Sequence, residues 1–279
     1  MLEIVPKIIC LKYGCRTMIN FEPLSPNTIR SRCRNGTFSG PTSGHAPGAV
    51  QANVVILPAT YAKDFENFCK LNPKPCPILE ILSAGDFHIK FIAPKADIRT
   101  DLPRYSVFRN GELVDQPLDV LDIWEDNLVT FLLGCSFIAE EALLSNGLLL
   151  PHINETGFVP MYRTTVPCKP AGIFEGNMVV SMRPFIMKDA QLAAEITQHY
   201  PMAHGAPLHI GDPGFLGIKD LDRPDFGEPV TMKEEQVPVF WACGVTPQNA
   251  LANARPSLAI THAPGHMFVA DITSESTRV

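Results

Sequence analysis

The chain lacks any apolar run near the roughly 18 to 20 residues that span a bilayer. Its longest, such as NVVIL at 53–57 and LVTFLL at 128–133, stop far short, which excludes an ordinary helical membrane protein. Runs of Lys and Arg are missing too. With 23 basic against 29 acidic residues the formal net charge is −6, so nucleic acid and anionic membrane surfaces are poor partners and a small-molecule ligand is the better expectation. Paired CxxC spacing is absent although there are eight cysteines, at 10, 15, 33, 69, 76, 135, 168 and 243. That excludes the common structural zinc sites. Without a secretory signal these are expected to be reduced thiols of an intracellular, cytoplasmic protein. Residues 1–20 carry Lys7, Lys12 and Arg16 against Glu3, a faint likeness to a mitochondrial leader that Pro6 weakens, so the mitochondrial matrix is the second expected location.

What is present suits a globular enzyme-sized unit. At 279 residues with 46% hydrophobic content, one large domain or two unequal lobes can bury a sizeable core; a homo-oligomer is compatible with this. The glycine-rich stretch 35–48, NGTFSGPTSGHAPG, lacks the GK[ST] ending of a P-loop and the GxGxxG spacing of a dinucleotide site. Residues 54–57 read as a buried strand stopped by Pro58, followed by a helix capped by Thr60 with Tyr61, Phe65, Phe68 and Cys69 at helical spacing. Asn110-Gly111 between two β-prone runs is the clearest hairpin signal. Residues 124–133 and 137–146 read as two helices broken at Gly134-Cys135-Ser136, with Ser136 as cap; the dipole of the second would lower the Cys135 thiol pKa. A strand at 178–182 leads to a helix over 188–199. Irregular alternation of strands and helices predicts a mixed sheet rather than an all-parallel one.

Chemistry concentrates between His204 and Gln248, where glycines and prolines force turns around His204, His209, Asp212 and Cys243. A strand at 237–241, a tight link, and Thr246-Pro247 as cap and first helical residue would leave N–H groups around Gly244 and Thr246 facing an anion, with the Cys243 thiol alongside. A capped helix without a ligand is the competing reading. His262 and His266 have i,i+4 spacing but enclose Pro264-Gly265 and lack the HExxH glutamate, so they are loop histidines suited to acid–base work or to binding a carboxylate. No cofactor is expected. A divalent metal at His204, His209 and Asp212 is left open.

The runs GPTSGHAPGAVQANVVILP, NPKPCPILE, TDLPRY, FLLGCSFIAEEAL, PMYRTTVPC, VVSMRP, HGAPLHIGDPGFLGIKDLDRPDFGEPV, VPVFWACGVTPQ and ITHAPGHM resemble, in the same order, those of the D-glutamate cyclase family, whose bacterial and fungal members are called hydro-lyases. The resemblance spans 23–272. It leaves 1–22 as an atypical extension and 23–279 as one catalytic unit, with a smaller lobe expected around 119–179. It implies an α/β fold with a large mixed β-sheet, flanking helices and a smaller α+β lobe. The implied activity is reversible cyclisation of D-glutamate to 5-oxo-D-proline with loss of water, without ATP. The FIAE run after Gly-Cys-Ser and Leu150-Pro151-His152 depart from the family's usual pattern, which bears on substrate preference. A hydro-lyase acting on another small amino or hydroxy acid, or a non-catalytic carboxylate-binding protein, are the alternatives.

Such a reaction needs a base, an acid, an oxyanion site and a cationic clamp on the α-carboxylate. Arg163 or Arg183 is the expected clamp. His209, oriented by Asp212, is the expected acid–base residue, and the N–H groups of 244–246 the oxyanion site. Cys243 is a candidate nucleophile or lining residue; His204, His262 and Cys135 are further candidates for the substrate pocket.

Overall fold

The computed structural model describes residues 24–155 and 157–279. The N-terminal extension, its leader-like stretch, Cys10 and Cys15 lie outside the described residues. Helix α1 (Pro26–Arg34) starts at Ser25, whose hydroxyl accepts the Thr28 N–H, with proline at the first helical position. Strand β1 (Ala49–Pro58) is buried almost throughout and runs directly into α2 (Ala59–Leu71). Pro58, not Thr60, occupies the cap position. After β2 (Ile78–Leu82), the hairpin β3 (Tyr105–Arg109) and β4 (Glu112–Asp115) turns at Asn110-Gly111, both with positive φ, as a type I′ turn requires.

Residues 128–134 form a strand, β5 (Leu128–Gly134), rather than the end of a helix. Every residue of it is buried, so both faces are apolar and no period-two signal marks it. Helices α3 (Phe137–Ser145) and α4 (Pro151–Glu155) follow, then β6 (Met161–Pro167), β7 (Asn177–Ile186) and α5 (Met187–Thr197). The two-residue strand β8 (His209–Ile210), β9 (Gln236–Ala242), α6 (Val245–Ala254), β10 (Ala259–His262) and β11 (Phe268–Thr273) complete the fold.

The class is α/β with two sheets: a seven-stranded one in the order β2-β5-β1-β10-β3-β4, with β11 also on β1, and a four-stranded one in the order β6-β7-β9-β8. Their pairings are antiparallel. Of the stretch 119–179, β5 and α3 belong with the large sheet, whereas β6 and the start of β7 open the small one.

An internal repeat underlies the two sheets. β1 and β7 are each ten residues long and run without a break into a helix. β5 and β9 are each seven residues long, and each is followed by a two-residue link and a helix: Cys135-Ser136 before α3, Cys243-Gly244 before α6. The registers agree, since Gly134 pairs with Ala52 and Ala242 with Val180. On the outer edges β2 and β8 correspond, as do β11 and β6. The order β11-β1-β5-β2 thus repeats as β6-β7-β9-β8, and the last strand of the chain completes the first unit.

The units interlock through their second helices. Ala250 and Leu251 of α6 pack with Val55, Leu57 and Phe131 of the large sheet, while Leu143 of α3 packs with Phe185, Val239 and Trp241 of the small one. Each unit thereby covers a face of the other, and the two strand–cysteine–helix links meet at the interface. Among the described residues no helix is long and apolar enough to cross a membrane.

Candidate active site

At the first link, Ser136 takes the cap position of α3 without capping it; its hydroxyl instead accepts from Arg183 Nη2 at 3.1 Å. Arg183 projects from β7 and is only 2% exposed. Its Nη2 also donates to Glu140 Oε1 at 2.6 Å and its Nη1 to Ser181 Oγ at 3.2 Å, with the guanidinium 5.6 Å from the Trp241 ring. His152 Nε2 lies 3.1 Å from the same Glu140 oxygen. Burial pushes the Glu140 carboxyl up, but Arg183 and His152 outweigh it and hold the group below its ordinary value. Glu140 is therefore an ionised carboxylate in the interior, held by a cation. Arg183 Nε, also buried, has no hydrogen-bond partner.

The second link has the same backbone with uncharged neighbours. Asn53 Nδ2 donates to the Gly134 carbonyl at 2.7 Å, and its Oδ1 is 3.0 Å from His262 Nε2. Gln248, at the place in α6 that Glu140 holds in α3, puts its Nε2 3.2 Å from the same His262 nitrogen. Glycine is required at 244, because a Cβ there would lie 2.2 Å from Asn53 Nδ2. Burial lowers His262 to about 4, so it is neutral at pH 7. The cross-contacts are reciprocal: β1 of the first unit reaches the second link through Asn53, and β7 of the second unit reaches the first through Arg183, the pattern of an approximate two-fold.

His204 stands between the units. Its φ of 74° is in the left-handed region, unfavourable for a non-glycine residue and the kind of strain that collects at functional sites. Nδ1–H donates to the Lys74 carbonyl at 2.8 Å, while Nε2 is buried without a partner. Burial lowers its pKa to about 4, assisted by Arg183, so Nε2 carries a lone pair. The preceding turn abuts the first link: a Cβ on Gly134 would fall 1.8 Å from the Met202 carbonyl oxygen.

Cys135 behaves against the helix-dipole expectation, and Cys243 resembles it. Burial pushes Cys135 up to about 12 and Cys243 to about 11, although the Phe137 N–H points at the first sulfur and those of Val245 and Gly244 at the second. Desolvation of a thiolate exceeds what these N–H groups return. Both are thiols at neutral pH. The Thr246 N–H is taken by the Cys243 carbonyl, and its hydroxyl ties α6 to Val179 rather than capping the helix, which begins at Val245. Of the N–H groups of 244–246, only that of Thr246 is thereby taken up.

The remaining expected residues lie elsewhere. His209 stacks on Phe240, on the face of the small sheet that also carries Tyr162 and Met182, whereas Arg183 shares the opposite face with Val239 and Trp241. The His209 ring donates to the Asp212 carbonyl, and the Asp212 carboxylate accepts from Gly214 N–H, capping a short turn instead of orienting the imidazole. Arg163 is half-exposed, paired with Asp225 at 3.1 Å and set over Phe226. Among the described residues no three His, Cys, Asp or Glu side chains are placed to hold a metal ion, so His204, His209 and Asp212 do not form the centre considered from their spacing. A surface cleft of 670 Å³ beside α1 is lined by Arg34 and Asp97, which are already paired with Asp101 and Arg99.

Ser136, Glu140, His152, Ser181, Asn53 and Gln248 were not among the residues expected from sequence. A signal for three of them was there: FLLGCSFIAE and VFWACGVTPQ both run from an apolar strand through a small residue, Cys and another small residue to Glu or Gln five positions after the Cys.

The D-glutamate cyclase family profile matches residues 129–271, which include both links. A protein named "Putative hydro-lyase" from Stutzerimonas stutzeri is 52% identical over 259 residues, 93% of this chain and 98% of that protein. Its namesakes from Geobacillus kaustophilus, at 51% over 92% of this chain and 98% of its own, and from Staphylococcus carnosus, at 52% over 91% and 97%, are similar to the same extent. With matches of that identity over nearly its full length, and a buried polar centre inside the matched region, the chain is an enzyme of the carbon–oxygen lyase class and belongs to the D-glutamate cyclase family.

Proposed function

We propose that the protein interconverts D-glutamate and 5-oxo-D-proline plus water at the junction of the two units. The observation that carries this reading, beside the family, is Arg183: a buried guanidinium paired with Glu140 through Nη2 while its Nε–H is left without an acceptor. It fits the α-carboxylate clamp, whereas Arg163 is committed to Asp225 at the surface.

In the forward direction the amine nitrogen bonds to the carbon of the γ-carboxyl group and one oxygen of that carboxyl leaves. The ammonium gives up two protons and the departing oxygen takes two, so water forms and the net charge of the substrate is unchanged. The His204 Nε2 lone pair is suited to accept a hydrogen bond from the amine and to relay its proton. Cys243, a thiol at neutral pH, is suited to donate to the γ-carboxyl rather than to attack it, since a carboxylate is a poor acyl donor for a thiol.

The test is incubation of metal-stripped protein with D- and L-glutamate, without ATP, with 5-oxoproline followed by NMR before and after Mn²⁺ or Mg²⁺ is added. Product from D-glutamate alone supports the reading. No product under any condition moves it to another small amino or hydroxy acid, a shift that the departure at Leu150-Pro151-His152, where the family more usually has Arg-His, would explain.

A further inference from the structure

The two links share a backbone and differ in charge, while the substrate of the proposed cyclisation has two carboxyl groups that must behave differently. We propose that the links are two unlike carboxyl subsites for a single ligand: an ionised α-carboxylate at Ser136 and Arg183, and an uncharged γ-carboxyl at Cys243 and Gly244 beside Asn53 and Gln248. This assignment rests on the cyclase reading and adds the direction in which the substrate lies.

The helix starts alone would not define such sites. Buried polar atoms almost always have partners, and at the junction of the two units a pair of side chains more than nine-tenths buried each leave one without: Arg183 Nε and His204 Nε2. The hydrogen bonds of the Arg183 guanidinium place it at the start of α3, through Ser136 and Glu140. The two orphans have opposite polarity, a donor on a cation and a lone pair on a neutral ring. Together they match the α-carboxylate and α-amine of an amino acid, which sit on one carbon. Ser136 and Gln248 are only half-buried, so each link reaches the surface beside its helix.

The two environments also suit the chemistry. A carboxyl next to a guanidinium stays ionised, whereas one buried among amides and a neutral imidazole is driven to the protonated form. Only the protonated γ-carboxyl can lose its hydroxyl as water. In the reverse orientation Arg183 would hold the γ-carboxyl ionised and unreactive, and the α-carboxylate would be buried without a cation.

The intact protein is given D-glutamate, its γ-amide (D-glutamine) and its α-amide (D-isoglutamine), and lactam formation and competition are followed by NMR. The expected result is cyclisation of D-glutamate, competition by the γ-amide within about tenfold of the parent's apparent affinity, and binding of the α-amide weaker by at least about a hundredfold. Cyclisation of D-glutamate with the α-amide bound as well as or better than the γ-amide overturns the subsite assignment and leaves the cyclase reading standing. Absence of lactam from D-glutamate overturns both.

Discussion

The links after β5 and β9 are built alike and filled differently. One is charged, with Arg183 and Glu140 in an interior ion pair; the other is neutral, with Asn53, Gln248 and His262 in the corresponding space. A buried ion pair is weak support for stability, because each charge must be taken out of water. Keeping it in one unit, where amides fill the other, points to a role in holding a ligand, and the two halves can be separated by experiment.

The largest effect is expected from breaking the charged half. Arg183→Gln leaves Glu140 buried without its cation and should cost about 3–5 kcal/mol, read from urea denaturation. Adding Glu140→Gln should restore most of that stability but not binding of 5-oxoproline, measured by calorimetry. In the neutral half Gln248→Ala should cost only about 1 kcal/mol. Equal costs in the two halves would remove the contrast.

Acid should act through the histidines. His204 and His262 have folded pKa values near 4, below the ordinary 6.5. The unfolded chain therefore binds more protons between those values, and stability falls as pH drops from about 6.5 to 4. Each histidine contributes on the order of 3 kcal/mol to this loss, so His204→Gln should flatten the pH dependence of the denaturation midpoint.

The glycines sharpen the repeat. Gly134 corresponds to Ala242 and Gly244 to Ser136, yet alanine at 134 meets the Met202 carbonyl and alanine at 244 meets Asn53. Each substitution should destabilise by about 1–3 kcal/mol through overpacking, with 134 the worse, since backbone yields less than an amide side chain. Smallest are the surface residues. Arg163→Ala should cost under about 1 kcal/mol as an exposed pair, and His209→Ala should lower turnover less than about tenfold, checked by the NMR assay. A loss as large as that of Arg183→Gln would move the site to the other face of the small sheet.

Much of the secondary structure was legible. Asn110-Gly111 announced its hairpin because only a few residues tolerate positive φ at two successive positions, and Phe65, Phe68 and Cys69 marked α2 by spacing. β5 reads as helix in the sequence because a strand buried on both faces has no alternation to show. The repeat is hidden in the sequence because strand length and register are kept while the side chains differ, Glu140 against Gln248 and Asn53 against Ser181. For the site, Arg183 was named from its place after an apolar run, and Cys135 and Cys243 from their places before helices. His209 and Asp212 looked as convincing, but three residues of spacing do not say which oxygen of Asp212 the ring meets.

By itself the sequence determined the family, the α/β class, the turn chemistry and the two cysteine links, since these depend on local residue order. Only the tertiary structure decided which candidates meet. Facing is set by strand register, which puts Arg183 and His209 on opposite sides of one sheet. The ionisation of the thiols and histidines is set by burial, and burial belongs to the packing of two units against each other, which no segment of the chain carries alone.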